Sequence, residues 1–146
     1  DAAEIINQYF EKYPGVKAYM DKSIQFAREH GYVETMMGRR RYLRDINSGN
    51  ATVRGFAERN AINAPIQGSS ADMIKIAMIQ IDQAIRVDGM KSKMILQVHD
   101  ELVFDAHNGE IDRLKDVIVD KMTHAIEMKV PIEVEVNTGQ NWLAAH

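Results

Sequence analysis

Cysteine is absent from this 146-residue chain, which excludes disulfides, thiolate zinc sites and cysteine nucleophiles and suits a reducing compartment. No apolar run approaches the roughly 18 residues that a membrane-spanning helix needs. The opening Asp1-Ala-Ala-Glu4 carries no basic region leading into an apolar stretch, so no secretory leader is expected and a cytoplasmic location is. Proline is scarce, with three residues, and the nine glycines follow no period, which excludes collagen-like and low-complexity classes. What is present is an ordinary globular balance, 45% hydrophobic against 27% charged. At this length folding buries roughly 70% of the unfolded surface, enough for one compact domain without staples.

The formal net charge of −3 argues on bulk grounds against a protein that coats nucleic acid by electrostatics alone. The distribution points elsewhere. Between Gly38 and Asn60 stand Arg39, Arg40, Arg41, Arg44, Arg54 and Arg59 against only Asp45 and Glu58, with no lysine among them. The guanidinium fork suits phosphates and base edges. A solvated loop with ordinary ion pairs would carry the same charge.

Apolar spacing predicts a helix over residues 1–13, punctuation at Pro14-Gly15, and a second helix from about Val16 to His30 with Gly31 as its C-cap. Tyr32 to Met36 reads as a short strand and residues 47–50 as a turn. Helical propensity returns from Ala51, but Pro65 predicts a break near Asn63 and a new helix near Gln67, which places Asp72 in its first turns with a structural role at the dipole's positive end. That helix presents Ile74, Ala77, Met78, Ile81 and Ile85 as a core stripe. Met94–Val98 and Leu102–Ala106 read as an antiparallel hairpin with His99-Asp100-Glu101 at its tip. A helix over 109–128 and a final alternating strand, Ile132–Val136, complete an α+β arrangement, with an N-terminal helical extension and helices packed on one face of a small antiparallel sheet.

Two constellations carry chemistry. An ionised aspartate beside a glutamate, flanked by apolar strands, is costly to bury unless a cation sits there. Magnesium would serve, because it takes one or two carboxylates and completes its octahedron with water and phosphate oxygens; a plain exposed turn would also use aspartate. The second set is Arg59, Asn63 and Gln67, spaced by four and four on roughly one face. Their amides suit the N3 and O2 acceptors that every base pair shows in the minor groove, and Arg59 suits a phosphate; alternatively Asn63 and Gln67 cap helix ends around Pro65.

Four separated blocks then coincide in order. Gly31-Tyr-Val-Glu-Thr-Met-Met-Gly-Arg-Arg-Arg-Tyr-Leu43, Ala57-Glu-Arg-Asn-Ala-Ile-Asn-Ala-Pro-Ile-Gln-Gly68 with Ala71-Asp72, Leu96-Gln-Val-His-Asp-Glu-Leu-Val103, and Tyr9-Phe-Glu-Lys-Tyr-Pro-Gly-Val16 resemble the C-terminal end of family A DNA polymerases of the bacterial DNA polymerase I type. Val134-Glu-Val136 and Asn141-Trp142 extend the resemblance over essentially the whole chain.

The resemblance implies that residues 1–50 are fingers-side helices with an arginine loop and that residues 51–146 are part of the palm. It implies that Asp100 binds catalytic magnesium with Glu101 as accessory carboxylate, that His99 meets the primer's terminal nucleotide, and that Arg59, Asn63 and Gln67 hold template or primer and read the minor groove. Arg54 matches a contact to the DNA backbone, and Arg39 to Arg41 a loop near the template in which some members brace the fold. The implied activity is addition of deoxynucleotides to a primer 3′ end with two magnesium ions, on primer–template DNA and deoxynucleoside triphosphates. In the family a second metal aspartate and the nucleotide-binding helix precede this stretch, so the chain alone is expected to be inactive. Arg44 stands where relatives often have proline, and Ser69-Ser70 where they have Thr or Ala; neither removes a ligand. The rival expectations are a non-catalytic module that grips primer–template DNA, and a structural remnant whose bare strand edge drives association.

Overall fold

The computed structural model describes residues 2–145, which form two compact units divided between Ser70 and Ala71. The element types are mixed helices and two small antiparallel sheets, an α+β arrangement in which each sheet has two strands.

In the first unit, helix α1 (Ala2–Lys12) is followed at once by α2 (Pro14–His30), whose first position tolerates proline because no N–H is needed there. Gly31 ends α2 in the left-handed region, φ 78°, and its N–H donates to Ala27 O at 2.8 Å. Strand β1 (Tyr32–Glu34) pairs antiparallel with β2 (Arg40–Tyr42), Tyr32 opposite Tyr42 and Glu34 opposite Arg40. Helix α3 (Ala51–Val87) begins after the 47–50 turn, where the Asn50 side chain accepts from Thr52 N at 3.0 Å and Val53 N at 3.3 Å. Ala27, Val33, Leu43, Ile46, Ala57, Ala61 and Ala64 form this unit's core with Ile24 against it. The alanines let backbone approach backbone closely. Helix α1 buries none of its residues.

The expected break at Pro65 does not occur: α3 runs unbroken from Ala51 to Val87. An interior proline forfeits one helical hydrogen bond and crowds a carbonyl, at a cost of ~3 kcal/mol. Two side chains bond carbonyls beside the gap in the ladder, but neither reaches Ala61 O, the carbonyl that Pro65 leaves without its usual N–H. Tyr19 Oη donates to Ile62 O at 3.0 Å, and Ser69 Oγ donates to Pro65 O at 2.6 Å. Ala61 and Ala64 are buried on the same stretch, so tertiary packing holds the helical path. As a consequence Asp72 lies inside α3 and not in a first turn, and the dipole argument for it fails.

The second unit contains residues 71–87 of α3, then β3 (Lys93–Val98), β4 (Glu101–Asp105), α4 (Ile111–Thr123) and the short α5 (Trp142–Ala145). Ile81, Ile85, Leu114 and Ile118 form its core, with Leu102 and Phe104 reaching it from one face of β4. The hairpin register shifts between Met94 and Leu96, so Ile95 is an extra residue, a bulge. Helix α4 ends at Thr123, earlier than the expected 128, where His124 N closes on Asp120 O at 3.1 Å. Residues 132–136 form no strand. Ile132, Val134 and Val136 are half-buried and alternate with exposed neighbours, so the apolar pattern is real; what is missing is a paired strand to complete a ladder.

Candidate functional site

On α3 in the first unit, Arg59, Asn63 and Gln67 are all exposed and, because the helix is continuous, they share one face with a drift of only about 40° per step. The capping alternative for Asn63 and Gln67 falls, since α3 has no ends there and neither amide is hydrogen-bonded among the described residues. The Arg59 guanidinium sits 5.9 Å from the Phe56 ring centroid and makes no ion pair among the described residues. Arg54 is differently placed. Its Nη1 donates to Ser48 O at 2.8 Å and its Nε lies 3.8 Å from Glu58, so it braces the turn that starts the helix and keeps its remaining donors.

The three consecutive arginines divide their labour. Arg40 Nε donates to Glu34 Oε1 at 2.7 Å and its guanidinium stacks 4.4 Å from the Tyr32 centroid; the Glu34 bond is the main reason its pKa is raised. Arg39 Nη2 donates to Gly68 O at 3.1 Å. Arg41 is exposed. A cavity of about 190 Å³ is lined by Thr35, Arg39, Arg41, Gln67 and Gly68 among others, which joins the arginine loop to the last of the amide residues.

The turn that carries Arg39 is locked onto α3. A Cβ on Gly68 would lie 2.6 Å from Thr35 Cγ2, so only glycine admits this approach. Met36 N donates to Ser69 Oγ at 2.9 Å. Sequence reasoning missed this contact set. The available signal was the Pro65, Gly68, Ser69 spacing, three poor helix formers within five residues.

In the second unit, Val98 pairs with Glu101, which leaves His99 and Asp100 as the two turn residues. His99 takes a positive φ of 54°, a region that non-glycine residues enter at a cost, and Gln97 Nε2 supports the turn by donating to His99 O at 3.1 Å. Asp100 is exposed and Glu101 half-buried. Water therefore carries the Asp100 charge, and the expectation that burial forces a cation onto this tip is corrected: Ile95 and Leu96 of the flanking strand are themselves exposed. No group of three or more potential His, Asp or Glu ligands exists among the described residues. Two adjacent carboxylates at a solvent-open tip do fit magnesium, which takes few protein ligands and keeps water and phosphate oxygens.

The hairpin is anchored at its far end. The Glu110 carboxylate accepts from Lys91 N at 2.9 Å, Ser92 N at 2.9 Å and Ser92 Oγ at 2.7 Å, and the Lys91 and Ser92 bonds pull its pKa down to about 2. Ser92 is buried and accepts from His107 N at 3.0 Å, so both ends of the β3–β4 ribbon meet on one hydroxyl.

With this geometry in hand, comparison with known proteins gives a consistent result. The model of DNA polymerase family A matches residues 1–144. DNA polymerase I of Caldicellulosiruptor bescii is 51% identical over 142 residues, covering 97% of this chain and 17% of that protein. DNA polymerase I of Lactococcus lactis subsp. lactis is 52% identical over 145 residues, covering 99% of this chain and 16% of that protein. Among solved structures, the POL domain of Pol1 from M. smegmatis, in complex with DNA primer-template and dNTP, superposes with a TM-score of 0.94 at 48% identity over 96% of this chain and 25% of that one. The chain thus spans about a sixth of the length of the curated relatives it matches.

Proposed function

The chain belongs to DNA polymerase family A, and from that premise we propose that it supplies part of the palm and fingers of an enzyme that adds deoxynucleotides to a primer 3′ end. The observation that carries this reading is the family match along nearly the whole chain, at about 50% identity to named DNA polymerases. Its substrates are primer–template DNA and deoxynucleoside triphosphates.

The roles follow from chemistry. Asp100 is the magnesium ligand contributed by this chain, with Glu101 as accessory carboxylate. Magnesium, two ions in the whole enzyme, would polarise the reacting phosphate and lower the pKa of the primer hydroxyl. His99 meets the primer's terminal nucleotide from the hairpin tip. Asn63 and Gln67 donate to minor-groove acceptors that all correct pairs share, a check of pair shape that ignores sequence. Arg59 and Arg54 hold backbone phosphates, positioning the duplex without reading it.

Two adjacent carboxylates cannot hold two ions about 4 Å apart and both in full coordination. The chain by itself therefore does not extend primers. The test is a chimera in which this segment replaces the matching stretch of the Lactococcus lactis polymerase. Template-directed extension by the chimera, reduced roughly a thousandfold by Asp100→Ala, supports the reading; extension at full rate in that variant defeats it. Salt-sensitive binding of primer–template DNA by a chimera that cannot extend favours the non-catalytic module instead.

A further inference from the structure

The stretch that carries Gln67 is the weakest part of α3. Pro65 brings no N–H, and Gly68 has more backbone freedom than any other residue type. A side chain borne there would point accurately only if something outside the helix held it, and the cavity of about 190 Å³ beside it leaves room to swing.

The turn between β1 and β2 supplies that hold. Arg39 Nη2 donates to Gly68 O at 3.1 Å, Met36 N donates to Ser69 Oγ at 2.9 Å, and Thr35 packs against Gly68 where a Cβ would be 2.6 Å away. The turn is itself rigid. Thr35 N donates to Arg39 O at 3.0 Å, Arg39 N to Thr35 Oγ1 at 3.2 Å, and Gly38 N to Thr35 O at 2.9 Å.

We propose that this turn sets the aim of the minor-groove amide, with Arg39 as a positioning residue for Gln67 and hence for rejection of mispaired primer ends. The inference rests on the reading above, in which Gln67 touches the newly formed pair. A hydrogen bond discriminates only when donor and acceptor meet within a few tenths of an ångström and near linearity. Loosening the 65–69 stretch would spare bulk DNA binding and blur the distinction between a pair of correct shape and one of wrong shape.

The experiment uses the chimeric polymerase and measures the ratio of kcat/KM for extending a matched against a mispaired 3′ end, with melting curves to confirm folding. Gln67→Ala lowers the ratio on the order of tenfold, the loss of one well-made hydrogen bond. Arg39→Leu lowers it by a similar factor, Arg39→Lys restores most of it, and Arg39→Leu combined with Gln67→Ala falls no further than either alone. A ratio unchanged by Arg39→Leu, or a double variant that is fully additive, overturns the positioning role while leaving the polymerase reading intact. A plain template-phosphate contact by Arg39 would weaken both substrates equally and leave the ratio unmoved, which also overturns it. A ratio unmoved by Gln67→Ala defeats the reading on which the proposal rests. Thr35→Ser, which keeps the hydroxyl and removes the methyl against Gly68, provides a second and milder probe; its expected effect is a smaller drop in the same ratio.

Discussion

Glu110 and Ser92 are joined twice, through the Ser92 backbone N–H and through its hydroxyl, both donating to Glu110 Oε2 at 2.9 and 2.7 Å. Lys91 N donates to the same carboxylate at 2.9 Å and is the largest cause of its resistance to protonation, with the two Ser92 bonds next; its pKa falls from 4.5 to about 2. The group binds its proton more weakly folded than unfolded, so its contribution to stability is fully present above about pH 4.5 and is lost as pH falls toward 2. Glu110→Gln, which keeps one acceptor and the shape but not the charge, is expected to melt lower than the parent at pH 7. The gap should narrow steadily as the pH is taken from 4.5 toward 2. Thermal melts of both proteins across that range check it; a gap independent of pH would refute the assignment.

Gly68 faces a sharper constraint, because its missing Cβ is what admits Thr35. Gly68→Ala is expected to destabilise by about 1–3 kcal/mol through overpacking, even though alanine is the better helix former. Removing the obstruction reverses the sign. With Thr35→Ser added, the Cγ2 methyl is gone while the hydroxyl still accepts from Arg39 N, so the double variant should match or exceed the parent's stability by up to about 1 kcal/mol. Denaturant titration of the three proteins decides this.

That contrast shows where the sequence was legible. Gly31, read as a C-cap from position alone, has the expected left-handed backbone. The hairpin lies where alternation puts it, although Glu101 pairs with Val98 and leaves a two-residue turn in place of the expected 99–101 tip. The stripe Ile74, Ala77, Met78, Ile81 and Ile85 faces inward with only Met78 half-buried; hairpin and stripe each depend on near neighbours in sequence. The helix continues through Pro65 against that residue's strong local preference because the packing that holds it is remote in sequence. Tyr19 lies 43 residues away from the Ile62 carbonyl it bonds, and no local pattern reports that. The strand expected over 132–136 has its alternation and lacks its partner, and pairing is a property of the sheet, not of the segment. For the candidate site, the exposed face of Arg59, Asn63 and Gln67 was legible from spacing, whereas the Arg39 to Gly68 bond was not.

Arg59 offers a test in which stability and binding separate. Among the described residues its guanidinium meets only the Phe56 ring, 5.9 Å away, so Arg59→Ala should change stability by no more than about 1 kcal/mol. As a phosphate contact it should matter much more to DNA. The chimera carrying this change is expected to bind primer–template DNA more weakly at every sequence, and the slope of log affinity against log salt should flatten by about one. Fluorescence anisotropy at several salt concentrations measures both. An unchanged slope would remove Arg59 from the phosphate contacts.

His99 is the one non-glycine residue with a positive φ, 54°, among the described residues. Holding an L residue there costs of order 1 kcal/mol, and glycine escapes that cost while losing some of the gain to its greater freedom when unfolded. If the turn needed only its geometry, glycine would be the better choice. His99→Gly should therefore hold or raise the melting temperature, by the equivalent of up to about 1 kcal/mol. The same change deletes the ring proposed to meet the primer terminus, so the chimera should lose extension rate and weaken in its hold on the primer end while folding at least as well. Melting and single-turnover extension measured side by side separate the two effects. A variant that loses stability together with rate would mean that the imidazole serves the fold, and a variant unimpaired in both would leave the strained backbone at the hairpin tip without a functional reason.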